Sequence, residues 1–230
     1  MSKGDVATSL NPLPGGERPA PLRIAIADDH PITRRALREY LELFDDIHVV
    51  AEAATGRQVI DLVRKERLDV LLLDLDMPGQ GGLDAMPHIR AKSRSTAVLV
   101  FSAYPESRYA VPLMREGASG YVSKSCPLSE VLRAVRHVGA GGRFVSPEVA
   151  ELLASHAIEE VQARPHENLT AREFQVLLKL ARGRSSGEIA HDLSLSTRTV
   201  STYRARIAAK LECSTPAEVT WYALTQGLLD

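Results

Sequence analysis

From Leu22 onward the chain alternates between short apolar runs and amphipathic stretches. The apolar runs are "LRIAIADD", "IHVVAEA", "VLLLDL", "AVLVFSA" and "GYVSK". Between the first three, "ITRRALREYLELF" and "GRQVIDLVRKE" repeat their apolar positions at helical spacing. Near-continuous Val/Ile/Leu strands are those buried on both faces, and their alternation with helices implies a parallel sheet. The pattern predicts an α/β domain over residues 22–146, a doubly wound five-stranded parallel sheet of order 2-1-3-4-5. In such sheets functional residues gather at the carboxyl ends of the strands.

After "GGRFVSPEVAELLASH" the strands stop. Residues 147–168 read as a linker that can be helical in part. From Leu169 to the end the pattern is short and helical, with marked helix starts. Thr170 with Glu173, Ser185 with Glu188, and Thr215 with Glu218 have capping-box spacing, and Pro216 is a first-turn proline. An all-α unit of four helices is expected over residues 169–230.

Composition narrows the class. With 44% hydrophobic and 25% charged residues the chain is that of a soluble globular protein. A net charge of −1 excludes a polybasic or acidic solvating chain but leaves room for a local basic face. Two distant cysteines, Cys126 and Cys213, argue against a disulfide framework and fit a reducing cytoplasm. Cys213 reads as a buried small residue. Residues 1–21, rich in Pro and Gly, read as a disordered leader without the apolar core of a signal peptide. No apolar run approaches the ~20 residues of a membrane span, so no membrane partner is expected.

The strand ends carry the chemistry. The first closes on Asp28-Asp29, and the third on Asp74. Strands one and three are neighbours in this order, so three carboxylates converge. Like charges that close raise one another's pKa, and a hard divalent cation, Mg2+ or Mn2+, relieves the conflict. The fourth strand places Ser102 at the same edge, and the fifth places Lys124 there with Tyr121 three residues before. A metal, a carboxylate, a hydroxyl and an ammonium around one point suit phosphoryl transfer, with the central Asp74 as acceptor. His30 reads as the residue leading into the first helix rather than as a ligand.

"IADDH", "LLLDLDMPGQGG", "VLVFSA" and "GASGYVSK" together resemble the receiver domain of two-component response regulators, over roughly Leu22 to Ser146. The resemblance implies that Asp74 accepts a phosphoryl group from a sensor histidine kinase. It also implies that Asp29 ligates Mg2+ directly, with Asp28 nearby and the backbone carbonyl of Asp76 as a further ligand. Ser102 and Tyr121 would be the switch pair, and Lys124 the phosphate-binding cation. Two prolines depart from the pattern, Pro87 in the third helical stretch and Pro112 in the fourth. Past the first turn each removes a helical hydrogen bond at a cost on the order of 3 kcal/mol, so the fourth helix is expected to start late or to kink.

The helical half contains a helix, a break at Gly183, a short helix, an "SLS" turn and a longer helix, the build of a helix-turn-helix. On a helical wheel centred on Val200, Ile207 and Leu211 lie within roughly 20° and mark the core face. Opposite stand Arg198, Thr202, Ala205 and Arg206, with Ser201 at the edge and Thr199 in the first turn. From Arg198 to Lys210 there are four cations and no acid. Small and hydroxylated residues permit close approach to base edges, and arginines hold phosphates or guanine. Through "LTAREFQVL" and "GEIAHDLSLSTRTVSTY" this half resembles the LuxR-type helix-turn-helix of the NarL/FixJ response regulators, which implies binding to double-stranded DNA as a homodimer. Tyr203 stands where the family more often has histidine. The last helix, with Trp221 and Tyr222, is the family's dimerising element, and at least one of the two is expected in the core.

The sum is a phosphorylation-controlled cytoplasmic transcription factor, not an enzyme. Two rivals share features with it. A haloacid-dehalogenase-like phosphatase also ends an apolar strand in Asp-x-Asp, but on its first strand, which leaves Asp28-Asp29 without a role. A regulator that binds DNA constitutively needs no Asp74 chemistry.

Overall fold

The protein's structure, a computed structural model, describes residues 20–78, 81–158 and 164–229. Residues 1–19, Gly79-Gln80, residues 159–163 and Asp230 lie outside the described residues, and with them most of the expected leader and part of the expected linker.

Five strands, β1 (Leu22–Ala27), β2 (Ile47–Ala53), β3 (Val70–Leu73), β4 (Ala97–Ser102) and β5 (Gly120–Ser123), form one parallel sheet of order β2-β1-β3-β4-β5. Five helices connect and follow them: α1 (Pro31–Leu41), α2 (Gly56–Lys65), α3 (Gly82–Lys92), α4 (Glu106–Arg115) and α5 (Leu128–Gly139). The expected doubly wound fold is therefore present. The central strands are buried on both faces, and the period of two sorts their side chains. Ala25, Ala27, Leu71, Leu73, Val98 and Val100 face α2, α3 and α4, while Ile24, Ile26, Val70, Leu72, Leu99 and Phe101 face α1 and α5.

The strand-closing residues Asp28, Asp74 and Ser102 sit at one edge because all five strands run the same way. The backbone fixes this edge: Asp28 N–H donates to the Ala53 carbonyl and Asp74 N–H to the Ala27 carbonyl, at 3.0 and 2.8 Å.

The fourth helix does not start late. Pro87 lies inside α3 and Pro112 inside α4, yet α4 begins at the first residue of its stretch and continues through Pro112 to Arg115. Pro112 is buried, so packing of the surrounding turn offsets the hydrogen bond its missing N–H cannot make.

A further helix, α6 (Pro147–Ile158), packs on α4, with Val149 buried and the Ser146 N–H held by Glu106 Oε1 at 2.7 Å. A 3₁₀ turn (Pro165–Asn168) leads into four helices, α7 (Ala171–Ala181), α8 (Ser186–Asp192), α9 (Thr197–Leu211) and α10 (Pro216–Thr225). All three expected capping boxes are formed. Gly183, just past the end of α7, adopts φ +77°, a left-handed conformation that a glycine takes without steric cost. Val200, Ile207 and Leu211 are buried, as the wheel of α9 requires.

Candidate phosphoacceptor pocket and nucleic-acid interface

The carboxylates meet at the β1 and β3 ends. Ligand atoms of Asp28, Asp29, His30 and Asp74 all lie within 4.8 Å of one another. Asp28 and Asp74 are 1% exposed, whereas Asp29 is partly open to solvent. Lys124 bridges the pair, its Nζ 2.8 Å from Asp28 Oδ2 and 2.8 Å from Asp74 Oδ2. Burial pushes the Asp74 carboxyl above the usual carboxylate range, against the pull of Lys124 and the Asp76 N–H, and the Asp28 charge adds to the rise. Burial draws Lys124 down, but its bonds to Asp28 and Asp74 outweigh this and hold it firmly protonated.

The donor set fits a hard divalent cation. Asp28 Oδ2 and Asp29 Oδ1 are buried oxygens, each with a single close side-chain neighbour, Lys124 Nζ at 2.8 Å and the His30 ring at 2.7 Å. Convergent carboxylate oxygens are what Mg2+ or Mn2+ binds. His30 stands at the N-cap position of α1, and its side chain makes no capping bond. Its ring also lies against the cluster, with Nδ1 2.7 Å from Asp29 Oδ1 and 3.1 Å from Asp28 Oδ1, a contact that its sequence position did not announce. The Asp76 side chain is exposed, and its N–H donates to Asp74 Oδ1 at 3.2 Å.

Ser102, the last residue of β4, and Tyr121, the second residue of β5, are both buried on neighbouring strands. Ser102 Oγ accepts from the Tyr104 N–H at 3.2 Å, and the Tyr121 hydroxyl donates to the Tyr104 carbonyl at 2.7 Å. Burial raises the Tyr121 phenol well above its ordinary value.

The helical unit docks on α3 and α4, a relationship absent from the sequence reading. Arg172 Nη2 donates to Asp84 Oδ2 at 2.8 Å, and its Nη1 donates to Gln175 Oε1 at 2.5 Å. Gln175 Nε2 donates to the Tyr104 hydroxyl at 3.0 Å. Glu116 Oε1 accepts the Ala171 N–H at the start of α7 at 2.6 Å, and Arg115 donates to the Glu167 carbonyl. Tyr104 stacks on Tyr109, which meets the Phe174 ring edge-on at 5.7 Å. Burial, with the Asp76 charge beside it, pushes the Tyr104 phenol up to about 12.

Two family descriptions match the two halves, a "response regulator receiver domain" over residues 24–136 and "bacterial regulatory proteins, luxR family" over residues 167–223. Response regulator UvrY of Escherichia coli is 34% identical over 208 residues, 90% of this chain and 95% of that one. Response regulator GacA of Pseudomonas aeruginosa is 33% identical over 210 residues, 91% and 98% of the two chains. The chain is a response regulator of the NarL/FixJ family.

Among solved structures, this regulator is similar to a LuxR-family two-component response regulator from Aurantimonas sp. SI85-9A1. The identity is 36%, the TM-score 0.55, and the match covers 61% of this chain and all of that one. RcsB from Salmonella enterica serovar Typhimurium, solved bound to promoter DNA with the phosphomimetic BeF3-, shares the fold at 24% identity. Its TM-score is 0.60, over 87% of this chain and 97% of that one.

In the regulator's α9, Arg198, Ser201, Thr202, Ala205 and Arg206 are exposed. Thr199 is half-buried, its N–H and hydroxyl both tied to Ser196 at the helix start. The hydroxyls of Ser201 and Thr202 return to the Thr197 and Arg198 carbonyls, a bond they release at little cost when another acceptor arrives. Tyr203 is half-buried and, with Arg206, borders a cleft of about 350 Å3 whose far wall is Leu83, Asp84, Pro87 and Glu116 of the receiver. A second cleft, about 330 Å3, separates Asp29, His30 and Asp76 from Asp192, Leu193 and Ser194 at the α8–α9 turn. Cys213 is buried, as expected. Tyr222 is half-buried with its hydroxyl on His166, whereas Trp221 is 68% exposed. No helix among the described residues is long and apolar enough to cross a membrane.

Proposed function

We propose that Asp74 accepts a phosphoryl group from a sensor histidine kinase and that this controls how the regulator grips double-stranded DNA. The observation that carries the reading is Lys124 bridging Asp28 and Asp74 at 2.8 Å at a strand edge that also holds Ser102. An Asp74 oxygen forms its bond to phosphorus as the bond from phosphorus to the donor imidazole nitrogen breaks, and the electron pair leaves with that nitrogen. Lys124 turns from the Asp74 carboxylate to the equatorial phosphoryl oxygens. Asp28, Asp29, Asp74 and the Asp76 carbonyl would hold Mg2+ or Mn2+, which supplies positive charge to the transferring group. Ser102 then donates its hydroxyl to a phosphoryl oxygen, and Tyr121 follows inward.

The receiver extends over residues 22–146, the connector over 147–168 and the DNA-binding domain over 169–230. Undocked, α9 enters the major groove with Arg198, Thr199, Ser201, Thr202, Ala205 and Arg206. Docked, it has Asp84 and Glu116 beside Arg206, and these charges repel phosphates. Phosphorylation shifts the equilibrium toward the undocked form. Two copies then pair through α10, where Trp221 and Leu224 are exposed, and a homodimer converts two weak half-site contacts into one bivalent contact. The regulator acts in the cytoplasm as a transcription factor, not as an enzyme.

The test is intact mass after incubation with phosphoramidate and Mg2+. Wild type gains one phosphoryl group and Asp74→Asn gains none; labelling of the variant moves the acceptor elsewhere.

A further inference from the structure

We propose that Tyr104 is the positioning residue that carries the state of Asp74 to the DNA-binding domain, acting through Gln175; the inference rests on the phosphoacceptor reading above. Tyr104 is held by its backbone, its ring and its hydroxyl, and the hydroxyl also lies against the Asp76 side chain. Its N–H donates to Ser102 Oγ at 3.2 Å, and its carbonyl accepts from the Tyr121 hydroxyl at 2.7 Å. Its ring stacks on Tyr109 with centroids 4.9 Å apart. Its hydroxyl accepts from Gln175 Nε2 at 3.0 Å. Two of these anchors are the switch side chains, and Gln175 belongs to α7.

Gln175 is 2% exposed, so its amide orientation is fixed by its partners. Its Oε1 is taken by Arg172 Nη1, which leaves Nε2 to serve the Tyr104 hydroxyl. When Ser102 swings its Oγ toward a phosphoryl oxygen to donate its hydroxyl, Oγ moves out of reach of the Tyr104 N–H. When Tyr121 follows, the Tyr104 carbonyl loses its donor. Both backbone groups of Tyr104 are then unpaired in a half-buried place, which is costly until the loop re-forms around water. The loop moves, and the Tyr104 hydroxyl leaves Gln175. The same linkage works in reverse: docking of Gln175 holds Tyr104, and through it Ser102, in the unphosphorylated arrangement. Arg172 Nε is buried without a hydrogen bond, so the docked network is incomplete and gains a water partner on opening.

Tyr104→Phe tests this, because it keeps the ring stack and every backbone bond and removes only the hydroxyl. The probe is a fluorescein-labelled random-sequence duplex at about 50 mM salt, where phosphate contacts dominate. Wild type should bind weakly and tighten with beryllofluoride and Mg2+. Tyr104→Phe should bind about fivefold tighter without beryllofluoride, the effect of one net hydrogen bond, and gain correspondingly less from it. Gln175→Ala should match it, and the double variant should equal either single one rather than their product. Hydrogen exchange supplies the structural control. In Tyr104→Phe, exchange should quicken in α7 while β4 stays as protected as in wild type; loss of protection in β4 as well would show a structural role only and overturn the proposal. Wild-type affinity in both conditions for Tyr104→Phe, or multiplicative single effects, would also overturn it. A wild type indifferent to beryllofluoride would instead overturn the phosphoacceptor reading on which it rests.

Discussion

Asp84 on α3 and Arg172 on α7 form an ion pair at 2.8 Å that joins the receiver to the DNA-binding domain, with side chains 15% and 8% exposed. Removing one partner of a buried pair strands the other at a cost of about 3–5 kcal/mol. Here the domains can part and let water reach the stranded group, so the cost appears as opening rather than unfolding. Arg172→Ala should therefore increase the radius of gyration in solution scattering and reduce the further increase caused by beryllofluoride. An unchanged radius would show that the pair does not hold the domains together.

Glu116 gives the docked form a pH dependence. Burial, joined by the charges of Glu173 and Asp84 and opposed by the Ala171 N–H and Lys210, raises its carboxyl above the ordinary 4.5. Undocking exposes the group and returns it toward that value, so the docked form binds more protons. Docking is thus most favourable below the ordinary value and weakens as pH rises through the raised one. Scattering should show a more compact protein on going from neutral pH toward about 5, and Glu116→Gln should flatten the change. A protein that expands on acidification would reverse the sign and contradict the assignment.

Gly82 sets the distance between α3 and Asp74. A Cβ there would lie 2.0 Å from the Asp74 carbonyl oxygen and 2.9 Å from its carbonyl carbon. Backbone on both sides leaves no flexible group to give way, so Gly82→Ala should destabilise the receiver by about 1–3 kcal/mol. It should also slow labelling by phosphoramidate, because β3 must shift. Urea unfolding and a labelling time course measure the two effects; a variant equal to wild type in both would mean the loop moves freely.

Arg206→Ala should weaken binding to any duplex and lower the slope of log affinity against log salt by about 1, the signature of one lost phosphate contact. A loss confined to particular sequences with an unchanged slope would make Arg206 a base reader.

The sheet was legible in the sequence because its strands are buried on both faces and read as unbroken apolar runs; "IHVVAEA" matches β2 residue for residue. The pocket was legible for a related reason, since Asp28, Asp74, Ser102 and Lys124 each follow or close such a run. The domain junction was not. Asp84 and Arg172 are 88 positions apart, and Tyr104 and Gln175 are 71 apart. Each of these polar residues reads locally as a solvated surface position. The late start expected of α4 failed because local propensity sees the hydrogen bond lost at Pro112 and not the burial of the turn around it. Gly82 stood in a recognisable motif, but its reason, the close approach of the Asp74 backbone, is tertiary. In α10 one of the two aromatics, Tyr222, is partly buried, while Trp221 lies open.

The most direct measurement compares the affinity of wild type and Asp74→Asn for one duplex, selected from a random pool by the beryllofluoride-treated protein, with and without beryllofluoride and Mg2+. Tightening in wild type and none in Asp74→Asn is the predicted result. Equal tightening in both proteins would contradict control of DNA binding through Asp74.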